Sequence, residues 1–232
     1  MSELDRLKQK ILIGSRALYS PYGITNVENG YSGHVSGRLP GQDTYLVAGH
    51  THHEGRSTMG DVEYEDLLTV DVKTGKKISG QKPLLDESII HTAVYRARND
   101  VNGIVHAHPF WCTVLSLTEK TIMELPILYT GRFWIASEGD GKKLIESLGD
   151  GRVVLHPGHG VVIVGATVEQ ACIYTNQLES LAQKLFYASL LGNIPKTRVQ
   201  PILERSADPV GVDQWLWYER KLKEKGLYPS LP

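Results

Sequence analysis

Gly103-Ile104-Val105-His106-Ala107-His108-Pro109 decides how the rest of this chain is read. An Asn102-Gly103 turn signal precedes it and a proline closes it, so the apolar residues between describe a short buried strand. Side chains two apart along a strand project from one face, with their Cα atoms roughly 6–7 Å apart. His106 and His108 therefore face the same way from inside an apolar segment. Burying two imidazoles without partners is costly, so the pair is read as metal ligands ahead of a passive core pair. Two more residues are candidates for the same centre: His159, in Pro157-Gly158-His159-Gly160, and the carboxylate Glu87. Three imidazoles with one coordination position left open suit a catalytic site, because structural zinc sites are normally closed by four protein ligands.

Outward from that strand, residues 86–98 form a helical stretch with Ile90, Val94 and Ala97 on one stripe. Glu87 and His91 lie one helical turn apart and share a face, so His91 either orients Glu87 or pairs with it. The turn after this helix leads directly into the histidine strand, which lets the helix N-terminus lie beside the metal. Downstream, residues 111–117 are amphipathic and 142–148 read as a short helix. Residues 152–155 and 161–164 read as buried strands around the Pro157-Gly158 turn. Thr167 and Gln170 form a capping box that opens the longest helix, to about Leu191. His159 opens its valine strand, whereas His156 sits before the turn; spacing alone does not choose between them.

Toward the N-terminus, a capping box at Ser2 and Asp5 starts a helix to about Tyr19. A glycine-rich stretch, residues 30–38, follows, then strands at 44–48 and 67–71 and a short extended piece after 73–76. His50, His52 and His53 fall in a polar segment read as a solvated loop. Cys112, beyond Pro109, is read as a small core residue. The tail, from about residue 193, carries Trp215, Trp217 and Tyr218 and then a basic helical stretch ending near Gly226. Several strands are joined by tight turns, which favours a mixed or antiparallel sheet flanked by helices over a doubly wound parallel one.

Composition excludes several classes. The chain has 232 residues, 41% hydrophobic and 22% charged, as in an ordinary globular domain, and nothing forces a division of residues 1–232. A net charge of −1 provides no basic field for nucleic acid. Two cysteines make no disulfide framework, no secretory signal opens the chain, and no apolar run reaches membrane-spanning length. A cytoplasmic protein without nucleic-acid or membrane partners is expected.

Taken together, the motifs resemble the class II aldolase/adducin family. Glu87-x-x-x-His91, residues 95–101 and His106-x-His108-Pro109 resemble its central block; Gly158-His159-Gly160 and the following valines resemble its second block; Gly33-His34-Val35-Ser36-Gly37-Arg38 resembles its first glycine-rich block. The resemblance runs from the first helix to about Gly192. It implies a three-layer α/β/α sandwich with a mostly antiparallel central sheet, in a single domain. Adducin-type members lack the metal residues; this chain keeps them, so the enzyme branch is implied. Members are commonly tetramers with interfacial active sites. The implied cofactor is one divalent ion per subunit, zinc foremost, with manganese or another divalent ion as alternatives. His106, His108 and His159 match the metal ligands and Glu87 the general acid/base, while Tyr129 falls where family aldolases place a tyrosine that reaches a neighbouring site. His34, Ser36, Arg38 and Arg132 are expected to contact substrate, the arginines by pairing with carboxylates.

The chain departs from the sugar-phosphate aldolases of that family where they bind phosphate. His34 stands for an Asn, and Leu85-Asp86 for two serines; an Asp would repel a phosphate. A Gly before the third His resembles family decarboxylases of hydroxylated aromatic or heteroaromatic acids, and Phe133 and Trp134 can form an aromatic wall or serve the core. The expected activity is decarboxylation of a small unphosphorylated hydroxylated acid, with retro-aldol cleavage of a hydroxy-carbonyl compound as the alternative.

Overall fold

A computed structural model of the chain describes residues 1–30, 32–118, 128, 135–194 and 212–230. Seven strands, β1 (His34–Gly37), β2 (Thr44–Ala48), β3 (Leu67–Asp71), β4 (Lys77–Ser79), β5 (Gly103–Ala107), β6 (Val153–His156) and β7 (Gly160–Gly165), form one sheet in the order β4-β3-β2-β1-β5-β7-β6. All its pairings are antiparallel. The helices are α1 (Glu3–Leu18), α2 (Ser88–Ala97), α3 (Phe110–Ser116), α4 (Glu138–Leu148), α5 (Val168–Leu190) and α6 (Val212–Glu224).

The alternation of strand side chains builds the layers. Val35, Val105 and Ala107 turn to one face, where α1, the start of α5 and α6 cover them through Ile11, Ala171, Cys172, Trp215 and Tyr218. On the same face, Val161 and Ile163 meet Leu178 and Leu181 further along α5. Ile104, Val162 and Val164 turn to the other face, under Ile90 and Val94 of α2 and Leu144 and Leu148 of α4. The result is an α/β/α sandwich. The tail helix α6 joins the first of these clusters, with Trp215, Tyr218 and Leu222 buried there.

Local chemistry sets the helix ends. Ser2 and Asp5 close a capping box on α1, and Ser137 and Asp140 do so on α4. At α5 the Thr167 side chain accepts from the Gln170 N–H as expected, but Gln170 Oε1 accepts from Ala166 N, one residue before the cap. The helix expected from Asp86 begins at Ser88, with Glu87 as its N-cap residue. Strand β1 lies inside the stretch that the sequence presented only as glycine-rich. No helix among the described residues is long and apolar enough to cross a membrane.

Candidate metal centre and active site

The centre of the sheet brings the site together. In the β1–β5 pairing His34 stands opposite His106, so both rings emerge on the face covered by α2. His108 lies one residue beyond β5, and the backbone turning at Pro109 carries its ring to within 4.9 Å of the His106 ring. His159 sits at the tip of the β6–β7 hairpin, where its N–H donates to His156 O. The turn has Pro157 at its second position and Gly158 with φ +70° at its third, the pattern of a type II turn, whose third position accepts glycine best. Gly160 is needed for another reason: a Cβ there would lie 2.4 Å from Ala107 O. His156 remains near, its ring 5.1 Å from that of His159, but it is not among the residues whose ligand atoms converge.

The three histidines expected to hold a metal point their Nε2 atoms at one another. His159 Nε2 is 3.1 Å from His106 Nε2 and 3.3 Å from His108 Nε2. Imidazole nitrogens placed about 2.0–2.1 Å from a tetrahedral zinc lie roughly 3.3–3.4 Å apart, so the spacing fits one shared ion. The outer nitrogens support the same conclusion. His106 Nδ1 donates to Val161 O at 2.9 Å, and His108 Nδ1 to Glu28 Oε2 at 2.9 Å, leaving each Nε2 with a bare lone pair. Burial pushes the His106 imidazole well below its ordinary pKa, against the opposing pull of the Glu87 carboxylate. Burial also opposes charging His108, but the Glu28 carboxylate outweighs it and raises the value.

Glu28 is a functional residue that the sequence did not reveal. It is fully buried, and its Oε2 also accepts from His108 N at 2.7 Å while Oε1 accepts from Gly30 N at 2.6 Å. Its only trace in the sequence is glycine: a Cβ at Gly33 would lie 2.6 Å from Glu28 Oε2.

Glu87 projects from the N-terminal end of α2 against the histidines. Its oxygens lie 3.4 Å from His159 Nε2, 3.5 Å from His106 Nε2 and 3.6 Å from His34 Nε2. Burial opposes its ionisation, but His106, His159 and His34 together hold its carboxyl well below the usual carboxylate range. Glu87 thus rests as a carboxylate, beside a second convergent group formed by His34, Glu87 and His106.

Three expectations change. His91 does not hydrogen-bond Glu87; its Nε2 meets His34 Nδ1 at 2.6 Å and its Nδ1 meets Ser36 Oγ at 2.6 Å. Ser36 has no accessible surface and is engaged by His91 and by Tyr95 Oη at 2.9 Å, so it stands behind the site and not at the substrate. Arg38 lies at the opposite end of β1, where its guanidinium donates to Tyr95 O, Arg98 O and Val101 O. It caps the carbonyls at the end of α2, which leaves no fork for a substrate carboxylate. Tyr129, Arg132, Phe133 and Trp134 lie outside the described residues.

Residues 17–186 match the family model described as "Class II Aldolase and Adducin N-terminal domain". The chain belongs to this family. Among curated proteins, it is 31% identical over 139 residues to an L-fuculose phosphate aldolase of Methanococcus vannielii, covering 55% of this chain and 72% of that one. It is 26% identical over 209 residues to a 3-oxo-tetronate 4-phosphate decarboxylase of Escherichia coli O6:H1, covering 84% and 93%. Among solved structures, an aldolase II superfamily protein from Pseudomonas syringae superposes with a TM-score of 0.78 at 20% identity, over 98% of this chain and 96% of that one. These relatives are carbon–carbon lyases by name, and this class II aldolase family chain is a lyase.

Proposed function

We propose that this chain is a divalent-metal-dependent decarboxylase of a short carboxylic acid that bears an oxygen on the carbon β to the carboxylate. Convergence of three imidazole Nε2 atoms beside one buried carboxylate carries the reading. His106, His108 and His159 would hold the ion, zinc by ligand type and geometry. When bound, it supplies a Lewis acid for the substrate oxygens.

The protein residues manage the proton. Loss of CO2 leaves the bonding electron pair on carbon, delocalised onto the β oxygen. From an ortho-hydroxylated acid Glu87, resting ionised, takes the hydroxyl proton and returns it to the carbon that lost CO2; a 3-oxo acid has no such proton, and there Glu87 relays one from solvent. The same transfer, from hydroxyl to carbon, would serve retro-aldol cleavage. Decarboxylation is favoured because the decarboxylase relative spans more of both chains than the aldolase relative does. A 3-oxo acid and an ortho-hydroxylated aromatic acid both meet the requirement for a β oxygen.

Both curated relatives are named for phosphorylated compounds. Here the pair before Glu87 is a core leucine, Leu85, and an exposed Asp86, which supports an unphosphorylated substrate. The deciding experiment offers zinc- or manganese-loaded protein a panel of β-oxygenated acids, each with and without a phosphate ester, and measures CO2 and aldehyde. Chelator-sensitive CO2 from the unphosphorylated acids is the expected result. Turnover of phosphate esters alone would reverse the substrate assignment, and aldehyde without CO2 would promote the aldolase reading. A homotetramer with shared sites is also proposed, supported by the exposed apolar side chains Phe110, Tyr187, Leu190 and Leu191. Light scattering showing an active monomer would refute it.

A further inference from the structure

Behind Glu87 runs a buried chain of hydrogen bonds: Tyr95 Oη to Ser36 Oγ at 2.9 Å, Ser36 Oγ to His91 Nδ1 at 2.6 Å, and His91 Nε2 to His34 Nδ1 at 2.6 Å. Glu87, His91 and Tyr95 are spaced four apart and lie on the sheet-facing stripe of α2, while Ser36 and His34 are two apart on β1. The chain ends at His34 Nε2, which is buried and, among the described residues, makes no hydrogen bond; a Glu87 carboxylate oxygen is 3.6 Å away. His34 itself is 1% exposed.

The direction of this chain can be worked out. Burial holds His91 neutral, so its ring carries one proton. If His34 Nδ1 carried a proton, it would donate to His91 Nε2, His91 Nδ1 would donate to Ser36, and Ser36 to Tyr95. The buried Tyr95 hydroxyl proton would then have no acceptor, since among the described residues Ser36 is its one hydrogen-bond partner. An orphaned buried donor is the costly arrangement. In the opposite direction Tyr95 donates to Ser36, Ser36 to His91 Nδ1, and His91 Nε2–H to His34 Nδ1, so the one proton left over is that on His34 Nε2, which faces the Glu87 carboxylate 3.6 Å away. His34 Nδ1 is then bare and its one proton sits on Nε2. Arg38 anchors the start of the chain, with its guanidinium 4.9 Å from the Tyr95 ring centroid and donating to Tyr95 O.

We propose that Tyr95, Ser36 and His91 fix His34 as an Nε2–H donor aimed at the space beside Glu87, where it hydrogen-bonds an anionic oxygen of the substrate and does not ligate the metal. The substrate contact rests on the reading of this centre as the active site; the tautomer does not. Of the two convergent groups, the hydrogen-bond direction thus leaves His106, His108 and His159 for the ion.

Nitrogen-15 spectra of histidine-labelled, zinc-loaded protein test the tautomer, with the His34 and His91 signals identified by their loss in His34→Gln and His91→Gln. A protonated Nε2 and bare Nδ1 on His34 are expected, and Tyr95→Phe should introduce the reverse tautomer. A protonated Nδ1, or a zinc-bound Nε2, in the wild type would overturn the proposal. The contact is tested with oxalate as an anionic probe. His34→Gln should keep its zinc and bind oxalate tenfold or more weakly, the effect of losing a hydrogen bond to a charged group. Loss of zinc from folded His34→Gln would make His34 a ligand, and unchanged oxalate affinity would remove the contact while leaving the spectral result to stand or fall alone.

Discussion

Glu28→Gln isolates the carboxylate that stands behind His108. The buried glutamate accepts from three N–H groups: His108 N at 2.7 Å, His108 Nδ1 at 2.9 Å and Gly30 N at 2.6 Å. Glutamine has one acceptor oxygen. Placed at the Oε2 position, that oxygen keeps both His108 contacts, and the amide nitrogen then faces the Gly30 N–H. The better of the two rotamers therefore releases only the Gly30 N–H, which lies on an exposed residue and can turn to water at little cost. The retained bond to His108 Nδ1 loses its charge assistance and about half its strength. A weaker anchor lets the imidazole rotate and lowers its basicity, and changes of this kind typically weaken metal binding about 10–100-fold. That corresponds to about 1.4–2.7 kcal/mol. Zinc competition against a chromophoric chelator measures the affinity directly, with circular dichroism to verify the fold. An affinity within twofold of wild type in a folded variant would show that His108 needs no carboxylate behind it, and the argument from outer-nitrogen bonding would fail.

Three further outcomes are expected. Glu87→Gln should retain its metal and lose ~10² to 10⁴ in turnover, the usual effect of removing a positioned acid/base; loss of metal would make Glu87 a ligand. Gly160→Ala forces a Cβ to within 2.4 Å of Ala107 O, so β5 and β7 must part, and denaturant titration should show a loss of about 1–3 kcal/mol, together with weaker zinc binding. The hydrogen bond from Arg98 lowers Asp100 to about 2, and a depressed carboxylate stabilises the fold above its unfolded pKa and ceases to do so as pH falls through the folded value. Because Asp100 is 66% exposed, Asp100→Asn should cost at most about 1 kcal/mol at neutral pH, with the cost fading as pH falls toward the folded value and gone below it, measured by chemical denaturation across that range.

What the sequence made legible was whatever repeats with a period or punctuates a chain. The alternation through Ile104, Val105 and His106 marks β5 and its two faces, and the Ser2–Asp5 spacing marks a helix start, as Ser137–Asp140 does for α4. The spacing left His159 level with His156, and His159 stood out only through the resemblance of Gly158-His159-Gly160 to the family's second block. Other features depend on which strand lies next to which. Ser36 lies on the strand of His34 and Arg38 one residue beyond it, yet Ser36 is covered by His91 and Tyr95, and Arg38 reaches the carbonyls ending α2. Glu28 has no local pattern at all, since its partner is 80 residues away.

That separation bears on how the molecule folds. The centre joins Glu28 to His108 across 80 residues, His34 to His91 across 57 and His106 to His159 across 53, so few of its contacts arise from neighbours in sequence. Chains dominated by such long-range closures fold slowly, because loop entropy is lost before the contacts that reward it are made. A fragment ending before residue 159 would lack the third histidine and the β7 edge that orders β5. Metal capture is therefore a late event in folding, and zinc should slow unfolding more than it speeds refolding.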